Sequence, residues 1–488
     1  MPINTSNSNV ATRENRIGSI TGYVGTLNDL ASQSQCGTLK GCSRCFSQSS
    51  TCLSSCGLGQ LSAIRDVAII HHGPAGCSVA SSNSYYMTKV MAKKRGVTSN
   101  TVYVGTDMNE NDTIFGSTEA LRKIILEVNK RYSPKAIFVS SACATGIIGE
   151  DIDSIVEDVR DEIGVPIVAV HCEGFKSRIW ATGFDLSDHA VLQEIVKPPR
   201  AGVKTNKINF KNFFESARPE IIEMFKNFDL EPVFLYCNST IEELSHLSES
   251  LATTCICGTL GNYLGNGLEE KYGVPYVRSI NQCGIAGFET WLREIGKVTG
   301  RSEKVEKYIE EQRAIYIPQI EEVKKELVGL TAVLGMGPGY TFEVSRVLDE
   351  LGIKVVWALA WHYDKKYENG DVPPSMKYLL DNDIDFETSV ADQQNYEVMN
   401  ILNKYQPDMY LSRHPGSTVW AIKNGTPAIY VADEYMIFGY KHTLEFAKTI
   451  LNTIRNRSFE ANLAKRTKLP YTDWWYKQNV DTFLEEVK

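Results

Sequence analysis

The chain is 488 residues long, which is too long for one compact core and predicts two to four domains. Hydrophobic residues make up 43% and charged residues 23%, as in an ordinary globular protein. The net charge of −8 argues against nucleic acid as the main partner, because phosphate binding requires clusters of basic side chains. The polar N-terminus argues against a signal peptide, and no apolar run approaches the ~20 residues that span a bilayer. We therefore expect a cytoplasmic protein with no membrane contact.

The twelve cysteines are the most unusual feature of the composition, and half of them lie in the first sixth of the chain. These six are Cys36, Cys42, Cys45, Cys52, Cys56 and Cys77. A reducing cytosol does not maintain disulfides, and clustered thiolates there are typical ligands of iron–sulfur clusters or zinc. The segment "CGTLKGCSRCFSQSSTCLSSC" fits an iron–sulfur site at least as well as a zinc site. A surface loop that binds no metal is the third interpretation.

From residue 57 onward, short apolar runs alternate with amphipathic stretches, which predicts repeated βα units. In "GEDIDSIVEDVRDEIG" the apolar residues have helical spacing; they are Ile152, Ile155, Val156, Val159 and Ile163. Strands are predicted at "VAIIHHG", "KAIFVSSAC", "VPIVAVHCEG", "EPVFLYCN", "GVPYVRSI", "LTAVLGMG", "GIKVVWALAW", "PDMYLSRH" and "GTPAIYVAD". The prediction is an α/β fold of three doubly wound, Rossmann-like domains with parallel sheets and a cysteine-rich N-terminal segment. The predicted boundaries are 1–56 for this segment, 57–215, 216–330 and 331–460 for the domains, and 461–488 for a C-terminal extension.

Cysteines follow the ends of several predicted strands, where ligands collect in parallel α/β sheets. Cys77 closes "HHGPAGC", Cys143 follows "AIFVSSA" and Cys172 follows "PIVAVH". We predict Cys77 and Cys143 to be ligands rather than core residues. Cys257 lies at a predicted loop-to-helix junction, where the helix N-terminus favours a thiolate. The alternative is that Cys255 and Cys257 merely finish a strand.

Other motifs carry little information about chemistry. "GMGPGY" follows a predicted strand but lacks the third glycine of a dinucleotide-binding loop. The sequence has no P-loop lysine motif, no HExxH and no GxSxG.

These motifs together resemble the α-type subunit of nitrogenase component 1, over about residues 50 to 460. "HGPAGC" and "CATGIIGEDI", whose cysteines are 66 residues apart, match the family motifs that supply thiolates to the P-cluster. The family's "HCEGF" is intact from residue 171 to 175. The resemblance thus implies Cys77 and Cys143 as ligands of a relay cluster. For the first relay ligand, a spacing of 25 residues to Cys77 selects Cys52, with Cys56 and Cys42 as alternatives.

The resemblance also implies a larger cofactor bound by Cys257. In the family, the cysteine that holds the active-site cofactor lies 12 residues before a motif that here reads "EEKYGVPY", and that count selects Cys257. The cofactors implied are a P-cluster-type 8Fe-7S cluster, shared with a β-like subunit, and a large Fe8S9C-type iron–sulfur cofactor.

The chain departs from nitrogenases around that cofactor. Ungapped counting places Trp180 and Phe184 where nitrogenases carry a glutamine and a histidine. In "GTPAIYVADEY", Ala432 or Asp433 replaces the histidine that binds the heterometal, which argues against molybdenum or vanadium. His362 and His414 are candidates to replace a missing histidine, although each is also explained as a hydrogen-bonded structural residue, which is the simpler explanation.

The resemblance implies the catalytic α-like subunit of an ATP-dependent, two-component reductase. Its partners would be a β-like subunit in an α2β2 heterotetramer and an ATP-dependent iron-protein reductase. The aromatic replacements favour a substrate other than dinitrogen, and we favour a methylthio-alkane reductase that cleaves carbon–sulfur bonds. Trp180, Phe184 and His362 are the candidate catalytic residues. The alternatives are a cofactor-assembly scaffold, a divergent nitrogenase, and a relative of tetrapyrrole reductases with a single four-iron cluster.

Overall fold

The computed structural model describes residues 3–44, 52–203, 205–212, 217–278, 282–365, 372–392 and 395–486; Cys45 lies outside these ranges. The chain divides into two compact units, Met1–Arg16 with Thr51–Arg278 and Ile17–Ser50 with Ser279–Lys488. None of the helices in the described ranges combines the length and the apolar content that crossing a membrane requires.

The strands are short, and most lie in parallel sheets. The first ten are β1 (Ser19–Ile20), β2 (Gly22–Thr26), β3 (Cys42–Arg44), β4 (Ala68–His72), β5 (Val102–Gly105), β6 (Ile137–Ser141), β7 (Ile167–Val170), β8 (Lys207–Lys211), β9 (Glu231–Leu235) and β10 (Ala252–Cys255). They are followed by β11 (Thr331–Met336), β12 (Lys354–Ala360), β13 (Tyr363–Asp364), β14 (Glu387–Ala391), β15 (Met409–Ser412), β16 (Ala428–Tyr430) and β17 (Leu484–Glu486).

Helices connect these strands. The first eleven are α1 (Arg13–Ile17), α2 (Leu27–Gln35), α3 (Leu53–Leu61), α4 (Ala75–Ser81), α5 (Asn83–Lys94), α6 (Glu110–Phe115), α7 (Thr118–Tyr132), α8 (Cys143–Ile148), α9 (Ile152–Ile163), α10 (Thr182–Ala190) and α11 (Arg218–Lys226). The others are α12 (Ile241–Ser245), α13 (Gly258–Tyr272), α14 (Ala286–Thr299), α15 (Ser302–Lys324), α16 (Pro338–Glu350), α17 (Pro374–Asp381), α18 (Asn395–Tyr405), α19 (Pro415–Lys423), α20 (Gly439–Arg455), α21 (Ser458–Arg466) and α22 (Asp473–Tyr476).

The first unit contains two parallel sheets, with the strand orders β5-β4-β6-β7 and β10-β8-β9. Ile69 and Phe138 of the first sheet lie in the same hydrophobic core as Leu235 of the second sheet and Leu264 of α13. This shared core explains why two sheets form one compact unit. The predicted domain boundary at residue 215 stays a prediction.

The opposite face of the first sheet is covered by α7 and α9. The buried residues of α9 are the five that the helical spacing predicted, so that helix prediction is confirmed. Asp151 caps the helix by accepting a hydrogen bond from the Ser154 amide at 3.1 Å. All residues of β4 are buried, as expected for a central parallel strand covered on both faces.

The second unit is built on a six-stranded sheet with the order β16-β15-β11-β12-β14-β2. Its strands are parallel except β2, which pairs antiparallel with β14, so that Thr26 lies opposite Glu387. Two short antiparallel pairs, β1 with β13 and β3 with β17, also join the start of the chain to the second unit. The segment 17–44 therefore contributes one strand, β2, to a sheet whose other members lie more than 300 residues later.

The α/β class with parallel sheets is as predicted, and all but one of the predicted strands are present. The strand predicted at "GVPYVRSI" is wrong within its described residues, because only Tyr276 forms an isolated bridge, to Thr253. The Pro275 carbonyl accepts from the Thr253 amide and the Val277 amide donates to the Thr253 carbonyl, both at 2.8 Å, but Pro275 has no amide hydrogen with which to extend the pairing.

Candidate functional site

Helix starts in the first unit hold the cysteines that sequence analysis selected. Cys52 is the N-cap residue of α3, Cys77 lies in the first turn of α4, and Cys143 begins α8. β4 leads into the turn before α4, and the adjacent β6 leads into α8, so Cys77 and Cys143 follow neighbouring strands. Cys52 is exposed, whereas Cys77 and Cys143 are partly buried.

Gly174 lies between two of these thiols. Its amide donates a hydrogen bond to Cys143 Sγ at 3.1 Å. A Cβ atom at this residue would lie 2.9 Å from Cys52 Sγ and 3.4 Å from Cys143 Sγ, so only glycine leaves room for both sulfur atoms. The glycine of "HCEGF" thus has a steric reason in this chain, because it lets the backbone approach the thiols.

Cys77 belongs to the same group of thiols. Burial raises the pKa of the Cys77 thiol, and the nearby Cys143 and Cys52 thiols raise it further. Cys52 and Cys143 thus meet at Gly174, and Cys77 lies near both of them. Cys56 lies one turn further along α3, and Cys42 belongs to the second unit. The geometry favours Cys52 as the third member of the group.

The group fits a multi-iron cluster better than a single metal ion. Across the described ranges, no three His, Cys, Asp or Glu side chains are placed to hold a metal ion. A cluster of several irons is larger than a single ion, so its ligands are spaced around it and do not meet at one point. The donors here are all thiols, which suit iron–sulfur chemistry, and Gly174 keeps the space between two of them open. The assignment of these residues as ligands stays a prediction.

The turn before Cys77 is held by a buried network centred on His72. His72 Nδ1 lies 2.9 Å from Thr106 Oγ1, and His72 Nε2 lies 2.9 Å from Glu150 Oε2. The Ser117 amide donates to Glu150 Oε1 at 2.8 Å. Burial raises the pKa of Glu150, but hydrogen bonds from Ser117 and His72 outweigh burial and hold that pKa below its usual range. His72 is therefore a structural residue that ties the ends of β4 and β5 to the loop after α8.

Cys172 is more deeply buried than Cys52, Cys77 and Cys143. It is 1% exposed, and burial raises its pKa well above the usual range, with Glu173, Cys52 and Cys56 adding to the effect. A Cβ atom on Gly57 would meet Cys172 Sγ at 3.4 Å. Cys172 therefore packs as a small hydrophobic residue beside α3.

Cys257 is the N-cap residue of α13 and is partly exposed, so the predicted loop-to-helix junction is present. The 15-residue helix places the positive end of its dipole beside this thiol. Cys255 is different: it is fully buried, its sulfur lies 3.1 Å from the Tyr276 hydroxyl, and burial raises its pKa to about 12. Of these two cysteines, only Cys257 is placed to bind a ligand.

Trp180 and Phe184 pack against each other at the start of α10. Their ring centroids are 5.9 Å apart in an edge-to-face arrangement at 77°. Phe184 is buried and Trp180 is partly buried. The two residues lie four positions apart in the sequence, and their placement beside a cofactor stays a prediction.

Sequence analysis missed an ionic clamp next to this aromatic pair. Asp185 is buried and accepts from Arg13 Nη2 at 3.3 Å and from Arg16 Nη2 at 2.7 Å. Arg13, which is 1% exposed, also donates to the carbonyl of Thr259 at 2.9 Å, in the first turn of α13. The clamp therefore fixes α10, which carries Phe184, to the start of the helix that Cys257 caps. The one signal in the sequence is an acid within the apolar stretch "WATGFDL".

A second buried ion pair lies deeper in the same unit. Lys211 on β8 donates to Asp188 on α10, and both side chains are at most 1% exposed. Asp188 Oδ1 also accepts from the Tyr236 hydroxyl at 2.8 Å and from Gln60 at 2.9 Å. These hydrogen bonds join α3 and α10 to the second sheet. They also make the buried Asp188 carboxylate tolerable, since a buried charge must be paired and hydrogen-bonded.

The remaining candidates lie in the second unit. His362 is 1% exposed, and its Nε2 lies 3.8 Å from Asp364 Oδ1. His414 is the N-cap of α19, where its Nδ1 accepts a backbone hydrogen bond at 3.1 Å. Asp433 caps a short helical turn by accepting from the Tyr435 amide at 2.9 Å. These bonds make His414 and Asp433 structural residues, whereas a catalytic role for His362 stays a prediction.

Comparison with known proteins places this site in a family. The model of the nitrogenase component 1 type oxidoreductases matches residues 52–455. The nitrogenase molybdenum-iron protein alpha chain of Methanosarcina barkeri is 27% identical over 335 residues, which cover 64% of this chain and 60% of that relative. The same alpha chain of Methanothermobacter marburgensis is 27% identical over 423 residues, 81% of this chain and 85% of the relative. The chain spans 64% of the length of the Clostridium pasteurianum alpha chain, so the matches to two of these relatives leave out more than a third of them.

A biosynthetic protein is similar to the same degree. The nitrogenase iron-molybdenum cofactor biosynthesis protein NifE of Methanococcus maripaludis is 26% identical over 398 residues, 79% of each chain. A solved structure of nitrogenase Cp1 at pH 6.5 matches the fold with a TM-score of 0.67 at 21% identity, over 86% of this chain and 91% of that one. Since the family model covers most of the chain, including Cys52, Cys77 and Cys143, the chain belongs to the nitrogenase component 1 type oxidoreductases.

Proposed function

We propose that this chain is the catalytic α-like subunit of a nitrogenase-like, ATP-dependent two-component reductase. The observation that carries the proposal is the meeting of Cys52 and Cys143 at Gly174, with Cys77 after the strand that neighbours the one leading to Cys143. These thiols would hold a P-cluster-type 8Fe-7S relay cluster, and Cys257 would hold a large Fe8S9C-type cofactor. When bound, the relay cluster would supply electrons and the larger cofactor would supply the site of reduction.

The residues of the chain have distinct tasks in this proposal. Gly174 leaves space for two ligand sulfurs and donates its amide to one of them. The His72 network fixes the turn that presents Cys77. The clamp on Asp185 holds the aromatic pair against movement relative to the helix that Cys257 caps.

The surface around the thiols supports a β-like partner. Large apolar side chains are exposed on the same helices and loop, with exposed fractions of 73% for Val79 on α4, 74% for Ile147 on α8 and 56% for Phe175 beside Gly174. Exposed apolar groups of this size are typical of protein interfaces. We propose that a β-like subunit covers this surface in an α2β2 heterotetramer and completes the relay ligands. An iron-protein reductase would deliver the electrons in the cytoplasm, since this chain has no P-loop of its own.

The substrate we propose is a small methylthio-alkane, reduced at a carbon–sulfur bond. Trp180 and Phe184 form an edge-to-face pair that suits an apolar methylthio group through burial and sulfur–aromatic contact. Ala432 and Asp433 provide no imidazole where the resemblance places the heterometal histidine, which supports a cofactor without a histidine-anchored heterometal. His362 remains a candidate proton donor in this proposal.

The proposal is tested by purifying the chain anaerobically with its β-like partner and measuring iron, molybdenum and vanadium. Cys52→Ala should lower the iron content and abolish the relay signal in electron paramagnetic resonance, whereas Cys56→Ala, one turn along the same helix, should change neither. Cys257→Ala should remove the larger cofactor and leave the relay signal. With its reductase and ATP, the wild-type complex should release hydrocarbon and thiol from dimethyl sulfide-like substrates. No such release, or an intact cofactor in Cys257→Ala, would contradict the proposal.

A cofactor-assembly scaffold is the second candidate, because NifE is as similar to this chain as the nitrogenase alpha chains are. A scaffold would hand its cofactor to another apoprotein, whereas an enzyme would retain it through turnover. Incubating the iron-loaded complex with a cofactor-free component 1 protein and following iron transfer separates the two functions. Reduction of acetylene or dinitrogen would instead favour a divergent nitrogenase.

A further inference from the structure

The Cys52 thiol accepts a hydrogen bond from a side chain. Ser54 lies in the first turn of α3, and its hydroxyl donates to Cys52 Sγ at 3.3 Å. Ser54 is buried, so water does not compete for this hydroxyl. Cys143 differs, because its donor is the backbone amide of Gly174, which no substitution at that residue other than proline removes. The hydrogen bond to Cys52 therefore depends on which side chain residue 54 carries, whereas the bond to Cys143 does not depend on a side chain.

A second hydroxyl stands behind Ser54. Ser54 Oγ and Ser81 Oγ are 3.0 Å apart, and both residues are buried. Ser81 is the last residue of α4, the helix that carries Cys77. Two hydroxyl groups therefore lead from the end of α4, through Ser81 and Ser54, to Cys52.

Binding a metal fixes the direction of these hydrogen bonds. Each hydroxyl has a single proton to donate, and a metal-bound thiolate has none, so the thiolate can only accept. Ser54 must then donate to Cys52 and accept from Ser81. Hydrogen bonds aligned in one direction polarise one another, so the Ser81 hydroxyl strengthens the bond that reaches the sulfur.

We propose that Ser54, supported by Ser81, sets the reduction potential of the cluster bound at Cys52. This inference rests on the proposed function of the relay thiols. Hydrogen bonds to ligand sulfurs stabilise the more negatively charged, reduced form of an iron–sulfur cluster and thereby raise its potential. Ser54 acts through Cys52, so it is a positioning residue rather than a ligand.

The test is a redox titration of the relay signal by electron paramagnetic resonance in the anaerobic complex with the β-like partner. In Ser54→Ala, the ratio of oxidised to reduced cluster at a fixed potential should rise by about three- to tenfold, and tenfold corresponds to about 59 mV for a one-electron couple. Ser81→Ala should shift the ratio less in the same direction. Ser54→Thr, which keeps the hydroxyl, should stay close to wild type. Ser55→Ala is the matched control, because the Ser55 hydroxyl makes no hydrogen bond within the described residues.

Iron content measured on the same samples separates the outcomes. If the wild-type complex contains no relay cluster, the proposed function fails, and this inference fails with it. If wild type and Ser54→Ala hold equal iron but titrate at the same potential, this inference alone is overturned. If Ser54→Ala loses its cluster, the test passes to Ser81→Ala. A Ser81→Ala complex with full iron content and the reduction potential of wild type also overturns the inference.

Discussion

Replacing Gly174 by alanine should selectively weaken cluster loading. The added Cβ would lie 2.9 Å from Cys52 Sγ, whereas ordinary contacts between heavy atoms are about 3.5–4.0 Å, so the sulfur must retreat by roughly 0.6–1.1 Å. In the free chain Cys52 is exposed, so its thiol can turn away at little cost. In the loaded complex iron holds that sulfur in place, and overpacking of this kind costs about 1–3 kcal/mol. Iron loading should then weaken by about 5- to 150-fold.

The assay is iron per chain after reconstitution at limiting iron, alongside thermal unfolding of the cluster-free protein. Gly174→Ala should load much less iron than wild type while its melting temperature changes little. Gly337→Ala is the matched control, since its Cβ would meet Trp361 at an ordinary 3.6 Å in the second unit. Wild-type iron loading by Gly174→Ala would refute the idea that Cys52 and Cys143 share one cluster across this glycine.

Further predictions concern the first unit. His171 Nε2 lies 2.9 Å from Asp153 Oδ2, and the pKa of His171 is raised to about 9. Protonated His171 therefore stabilises the folded chain below its ordinary pKa of 6.5, and this stabilisation is lost as pH rises through 9. Between pH 6 and pH 9, the free energy of unfolding measured with urea should fall by about 2 kcal/mol more in wild type than in His171→Gln. An equal fall in both proteins would contradict this prediction. Arg13→Ala leaves the buried Asp185 with Arg16 alone and should cost about 3 kcal/mol in the same assay, whereas a cost near zero would mean that the clamp contributes nothing. Cys172→Ala should keep the iron content of wild type, and a loss of relay iron would show that this buried thiol is a ligand.

Local patterns predicted what local interactions decide. The apolar spacing of residues 152–163 fixed both the extent and the buried face of α9, because amphipathic periodicity depends only on neighbouring turns. The junction at Cys257 followed from the change of pattern between an apolar run and a glycine-rich helix. The strand predicted at "GVPYVRSI" is reduced to one bridge, because Pro275 has no amide hydrogen with which to extend the pairing with β10.

Long-range partners were beyond the sequence patterns. Arg13 and Asp185 are 172 residues apart, and nothing in the local sequence of either indicates the other. The group of thiols could be assembled from the sequence only through the family resemblance. The reason why residue 174 is glycine required the positions of two sulfur atoms that approach it from different helices.

The pairing of β2 with β14 has a consequence for how the chain is made. Thr26 leaves the ribosome 361 residues before its partner Glu387, and at about 5–20 residues per second this is a delay of roughly 20 to 70 s. During that interval the whole first unit can fold, whereas the nascent segment 17–44 has no strand to pair with. A waiting strand with unpaired backbone groups is a template for wrong pairings. Slowing translation between these two strands should therefore increase aggregation of the nascent chain, and a chaperone that binds the early segment should suppress it.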